Sequence, residues 1–217
     1  MKLLAVIFDL DGTVLDNEDE YGIAFKEVLS NLGIETNSDF PHIQGIGMDE
    51  NWRKLIPQHK IKTKKSIKEL SSETQKAYLK LLSRVTLKEG VIDFIKDLKD
   101  SGILVALATS NNWPIVEKVF DTLDLEGVFE TITTAEEVNC KKPDPEIFVL
   151  TTHKLGIDPG NCLVMEDTEA GIVAARDAGM KVIAIARGDD HAKLLGKANK
   201  TIYSYNEITS KALESIK

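Results

Sequence analysis

Short apolar runs rich in β-branched side chains recur along the chain at residues 3–8, 103–108, 129–133, 162–166, 181–186 and 201–203. Near-continuous apolarity over so short a span predicts strands buried on both faces. Between them the apolar positions fall at helical spacing. Val91, Ile92, Ile95 and Leu98 lead to Gly102; Ile115, Val116, Val119, Phe120 and Leu123 follow Asn112 and Pro114; residues 147–155 follow Asp144 and Pro145. Proline at a first turn and glycine just past a last turn mark the limits of these helices. Strand alternating with helix predicts an α/β fold, a Rossmann-like parallel sheet covered on both faces, with ligands bound outside the carboxyl ends of its strands.

From residue 16 to residue 86 the alternation stops, and no convincing strand interrupts the helical spacing. Tyr21, Phe25, Val28, Leu29 and Leu32 share one helical face that ends at Gly33. Ser72, Glu73, Thr74 and Gln75 resemble a capping box that opens a helix through Ala77, Tyr78, Leu81 and Leu82. The chain therefore divides into a catalytic core, 1–15 and 87–217, and an inserted helical cap domain, 16–86. Hinges are expected near the two crossings.

Composition narrows the partners. In 217 residues, 27 basic and 35 acidic side chains give a net charge of −8, which opposes bulk attraction to nucleic acid. A 42% hydrophobic share suits a chain that folds around a core, and no apolar stretch approaches the length of a membrane span. Six apolar residues ahead of Asp9 are too few for a signal peptide. With Cys140 and Cys162 the only cysteines, no disulfide framework is possible, so a cytoplasmic location is expected. A monomer without a membrane partner is expected as well. Lys60, Lys62, Lys64, Lys65 and Lys68 cluster in an otherwise acidic chain and read as a solvated face, the alternative being attraction of an anionic substrate.

Candidate chemistry gathers where the strands end. The first strand runs into Asp9, Leu10, Asp11, Gly12 and Thr13; the second ends in Thr109 and Ser110; Lys141, Lys142, Pro143, Asp144 and Pro145 open a later helix; Glu166 and Asp167 end the fourth. Taken singly, Asp and Gly after a strand are ordinary turn residues.

In this order the stretches DLDGT, ATSN, KKPDP and MEDTEAG resemble the motifs of the haloacid dehalogenase superfamily, in its phosphatase and β-phosphoglucomutase-like branch with a helical cap after the first strand. The resemblance extends from Val6 to about Gly179. It implies a Mg²⁺-dependent phosphatase acting on a small-molecule phosphate ester through an aspartyl phosphate. Asp9 is then the nucleophile and Asp11 the general acid and base. Thr109, the backbone of Ser110 and Lys142 bind the phosphoryl oxygens, with Lys141 as the alternative lysine. The resemblance gives the metal to Asp9, Asp11 through its backbone carbonyl, Asp167 and Glu166, the last directly or through water. A phosphoryl dianion repels a carboxylate, so such a nucleophile needs a cation and fixed donors beside it.

Other readings remain beside this one. A phosphomutase is the nearest, but the histidine and arginine expected in its cap fall at Tyr21 and Met48 here, with Arg53 displaced. A receiver-type phosphoaspartate signalling domain and a silent binding protein are further alternatives. Cys140 and Cys162 read as structural, and His42, Trp52 and Arg53 as cap packing or surface. His153 and His191 are expected on helices away from the site.

Overall fold

The computed structural model describes residues 2–38, 41–43, 47–213 and 215–216. It divides into two compact units, 1–16 with 87–217 and 17–86.

The larger unit is built on a six-stranded sheet in which every pair is parallel. Strand β1 (Ala5–Phe8) lies in the middle. A second, minimal strand β2 (Leu15–Asp16) pairs with β3 (Thr86–Leu87) in a separate two-stranded sheet. The main sheet continues with β4 (Leu104–Ala108), β5 (Thr131–Thr133), β6 (Cys162–Glu166), β7 (Lys181–Ile185) and β8 (Lys200–Ile202), in the order β5-β4-β1-β6-β7-β8. Each predicted strand is present: residues 162–166 match β6 to the residue, the last strand is shifted by one position, and the other four are shorter by one or two residues. Ile7 stands between Ala106 and Val164, and all four residues of β1 are fully buried, so both faces of the strand are covered as its apolarity implies.

Chain order reverses at β1, with β4 on one side and β6 on the other, so the carboxyl end of β1 is the topological switch point of the sheet. Helices α4 (Val91–Asp100), α5 (Trp113–Leu123), α6 (Glu146–Leu155), α7 (Glu169–Asp177), α8 (Asp189–Leu194) and α9 (Ser210–Leu213) complete this unit. The apolar faces of α6 and α7 bury Phe148 and Ile172 against Ile7, Val164 and Val182 of the sheet.

The smaller unit holds α1 (Glu18–Asn31), α2 (Met48–Gln58) and α3 (Ile67–Leu79) around Phe25, Leu29, Trp52, Leu55 and Leu70. Helix α3 begins earlier than Ser72. Its capping box is Ser66 with Glu69, and the Ser72 box is overruled because the buried stripe starts at Leu70 and continues through Thr74, Ala77 and Tyr78. Thr74 accepts the indole N–H of Trp52 at 3.0 Å, and Asn17 donates to the Tyr78 hydroxyl at 2.7 Å. Tyr21 stacks flat on Tyr78, with centroids 4.2 Å apart. His42 stacks on Phe25 and reaches Glu18 at 2.9 Å, so it is packed within this unit, as is Trp52. Arg53 is exposed beside Glu50, and Lys65 pairs with Glu73. Among the described residues no helix is long and apolar enough to cross a membrane.

Candidate active site

Beyond Phe8 the backbone N–H of Asp9 still bonds the Met165 carbonyl, which carries the carboxylate to the rim of the sheet. The chain then turns sharply. The Leu10 carbonyl accepts from the N–H groups of Val14 and Leu15 at 2.9 Å, and Gly12 takes φ +72°. A Cβ on Gly12 would lie 2.1 Å from Oδ2 of Asp167, so this left-handed turn and the carboxylate occupy one tightly fitted space.

The centre of the site is one ammonium group. Lys142 Nζ donates to Asp9 Oδ1 at 2.5 Å, to Glu166 Oε1 at 2.8 Å and to the Ala108 carbonyl at 3.3 Å. Lys141, the alternative lysine, is exposed. Burial opposes the Lys142 charge, but the carboxylates of Asp9 and Glu166 outweigh it and hold the ammonium above its usual range. Burial pushes the Asp9 carboxyl up to about 7 against the pull of that ammonium.

Glu166 is wholly buried, and its second oxygen accepts from the N–H of Asp167 at 2.8 Å, the N–H of Thr168 at 2.7 Å and the Thr168 hydroxyl at 2.9 Å. These donors lie just ahead of α7, whose N-cap is Thr168, so the carboxylate also meets the partial positive charge of the helix terminus. The same turn is closed by Gly171, whose N–H bonds Thr168 Oγ1. Asp167 accepts from Thr13 Oγ1 at 3.4 Å and from Arg187 Nη1 at 3.2 Å. Asp11 accepts from Asn111 Nδ2 at 2.6 Å. Thr109 is buried, and its hydroxyl accepts the N–H of Asn111 at 3.1 Å, which leaves the hydroxyl proton for a second acceptor. Ser110 is exposed at the rim.

The structure thus brings Asp9, Lys142 and Glu166 into direct contact and sets Asp167 against the same turn. Four residues escaped sequence reasoning. Asn111 sits inside the ATSN stretch, two positions beyond Thr109. Arg187 follows β7 and was open to the same strand-end logic that found the others. Gly171 lies within the MEDTEAG stretch. Tyr205, whose hydroxyl donates to the Thr13 carbonyl at 3.1 Å, had no local signal at all. His191 is on a helix as expected, but not apart from the site: its Nδ1 accepts the N–H of Arg187 at 3.2 Å, because α8 begins two residues beyond Arg187 and folds the ring back onto it. Cys162 is buried in the core, where burial raises its thiol to about 11. Cys140 is exposed and lies near Asp144 and Glu146, but Glu146 already caps the N–H groups of Asn139 and Cys140.

The carboxylates gathered here are a hard oxygen set that suits a hard divalent ion. Four carboxyl groups, of Asp9, Asp11, Glu166 and Asp167, face two basic side chains, Lys142 and Arg187. The excess of carboxyl groups over basic side chains is what a divalent cation would offset.

A family profile described as haloacid dehalogenase-like hydrolase matches residues 6–185. Hexitol phosphatase B of Escherichia coli (strain K12) is 28% identical over 222 residues, covering 98% of this chain and 97% of that protein. Beta-phosphoglucomutase of Bacillus subtilis (strain 168) is 30% identical over 192 residues, covering 85% of this chain and 84% of that protein. Among solved structures, CbbY from Rhodobacter sphaeroides in complex with phosphate has a TM-score of 0.83 at 25% identity, covering 98% of this chain and 99% of that one. The relatives thus include a named phosphatase and a named phosphomutase.

Proposed function

The chain belongs to the haloacid dehalogenase-like hydrolase family, and from that premise we propose that it is a Mg²⁺-dependent phosphatase of small phosphorylated metabolites, such as sugar phosphates or phosphoglycolate, working through an aspartyl phosphate on Asp9. The observation that carries this reading is the buried Lys142 ammonium shared between Asp9 and Glu166. A lysine held so firmly against a strand-end carboxylate orients that carboxylate and offers positive charge to an incoming phosphoryl group.

In the first step a carboxylate oxygen of Asp9 forms the new bond to phosphorus while the bond from phosphorus to the ester oxygen breaks. Asp11 gives its proton to the departing alkoxide. In the second, Asp11 takes a proton from water, whose oxygen attacks phosphorus, and the bond to Asp9 breaks to release inorganic phosphate and restore both carboxyl groups. Proton transfer of this kind contributes about 10²- to 10⁴-fold. The Thr109 hydroxyl and the Ser110 N–H donate to the phosphoryl oxygens. Mg²⁺ would supply the charge that lets a carboxylate approach a phosphoryl dianion, and Asp9, Asp167 and the Asp11 carbonyl would hold it. Glu166, whose oxygens already accept from Lys142 and from the N–H groups of Asp167 and Thr168, would act on it through water.

Every core residue named here addresses the phosphoryl group, and selection of the alcohol by the helical unit is what the family resemblance implies. Tyr21, where the mutases resembled would carry a histidine, is committed to its stack on Tyr78, which favours hydrolysis over phosphoryl return to a sugar. The test is a phosphate-release screen over metabolite phosphates with Mg²⁺. Asp9→Asn and chelation should each remove activity by about three orders of magnitude or more. Full activity in Asp9→Asn refutes the mechanism, and glucose 6-phosphate forming from β-glucose 1-phosphate faster than free phosphate refutes hydrolysis.

A further inference from the structure

Arg187 is the second basic side chain of the cluster, and nothing in the phosphatase reading uses it. It leaves the sheet just after β7, and its Nη1 lies 3.2 Å from Asp167 Oδ2. The pair is screened from water: side-chain exposure is 15% for Arg187 and 3% for Asp167. His191 packs behind the guanidinium and holds the backbone that carries it. His191 Nδ1 accepts the backbone N–H of Arg187 at 3.2 Å, and the other ring nitrogen lies 3.4 Å from Nη2. On the near side, Nη1 would be 3.2 Å from a Cβ on Gly12, in the same turn that places Asp9 and Asp11.

We propose that Arg187 is a built-in competitor of the metal, a permanent cation fixed on Asp167 that sets how weakly the site holds Mg²⁺ and stabilises the carboxylate cluster without it. The inference rests on the assignment of Asp167 to the metal. A guanidinium cannot lose its charge at any ordinary pH, so it is either displaced from Asp167 or tolerated beside a divalent ion. Both alternatives cost binding free energy, and in a water-poor site the repulsion is poorly screened. In return the buried Asp167 carboxylate keeps a partner when no ion is present, which an unpaired buried charge could not do cheaply. Such a site releases its metal readily and remains folded when it has done so.

The measurement is a Mg²⁺ titration of chelator-stripped protein, read by melting temperature and by calorimetric binding rather than by turnover. Arg187→Gln should lower the Mg²⁺ midpoint by about tenfold or more, equivalent to about 1.4 kcal/mol, while its metal-free form melts below the wild type. His191→Ala, which keeps the charge but loosens its anchor, should move the midpoint the same way by a smaller factor, about threefold. It carries the test by itself if Arg187→Gln does not fold. A midpoint unchanged or raised in these variants overturns the proposal. So does a higher substrate KM at an unchanged Mg²⁺ midpoint, which would make Arg187 a substrate ligand. No Mg²⁺ response in either wild type or variant removes the metal assignment and this inference with it. A wild-type response that the variants leave alone removes this inference only.

Discussion

Replacing Gly171 by alanine adds one methyl group where α7 crosses behind the site, and the outcome can be worked out from the packing. The new Cβ would stand 1.7 Å from Glu166 Oε1 and 2.5 Å from Oε2. Either the carboxylate or the first turn of α7 has to move. A glutamate tip is normally compliant, but this one is wholly buried and accepts from Lys142, from the N–H groups of Asp167 and Thr168, and from the Thr168 hydroxyl. Displacing it separates a buried ion pair, an event that typically costs about 3–5 kcal/mol. Alanine in a helix returns about 1 kcal/mol relative to glycine. The net loss is about 2–4 kcal/mol, which for a chain of this size lowers the melting temperature by about 5–15 °C. Lys142 loses one of its two carboxylates in the process and shifts against Asp9, and a misplacement of about 1 Å costs on the order of 10² in rate. The assay is a thermal melt beside kcat/KM for phosphate release. Gly196→Ala is the control, because its added methyl meets only the Lys193 carbonyl at 3.7 Å. A Gly171→Ala protein that melts with the wild type and keeps its kcat/KM would refute the claim that Glu166 is locked in place to hold Lys142.

Lys142→Met leaves Asp9 and Glu166 buried without their cation, so a stability loss of about 3–5 kcal/mol and near-complete loss of activity are expected; an unchanged midpoint in chemical denaturation together with intact activity would discard Lys142 as the organising charge. Burial raises the folded-state carboxyl of Asp9 from 3.8 to about 7, so its contribution to metal-free stability is full below about 3.8 and is lost as pH rises through about 7. If Asp9 ligates the ion it must be ionised, so the same shift should make Mg²⁺ bind about tenfold more tightly per pH unit up to about 7 and then level off, and a flat affinity between pH 5 and pH 8 at constant ionic strength would contradict it. Tyr205→Phe deletes the hydroxyl that fixes the Thr13 carbonyl, for an expected loss of about 0.5–1.5 kcal/mol in melting experiments and a several-fold lower kcat/KM.

The parts of this molecule that were legible in the sequence are those encoded locally. A strand buried on both faces must be apolar throughout, which is why residues 162–166 announce β6 without any knowledge of its neighbours. Parallel strands deliver their next residues to one rim, which is why Asp9, Thr109 and Glu166 could be grouped although they lie far apart in the chain. Strands β2 and β3 carry only two residues each, too few for a period to show. The true start of α3 was hidden because two Ser-x-x-acid or amide patterns lie six residues apart, and only the burial of Leu70 against Trp52 decides between them. Tyr205 and Thr13 are separated by 192 positions, and no spacing rule connects a tyrosine near the end of the chain to a carbonyl near its start.

Arg187 shows a different kind of illegibility, in which the position was readable and the role was not. A basic residue after a parallel strand reads equally well as an anion ligand or as a surface charge; only its 3.2 Å approach to Asp167 turns it into a counter-ion. That pairing changes the electrostatics of the whole site. On the proposed mechanism Asp11 carries a proton into the first step, so three carboxylates face the fixed cations. With Lys142 alone, one divalent ion would leave the site neutral. With Arg187 as well, the same ion leaves it net positive, and such a site can accept a dianion at its rim, where Thr109 and Ser110 offer donors. Metal before substrate is therefore the order that the charges favour, and the strength of the metal's hold becomes the quantity on which the first step depends.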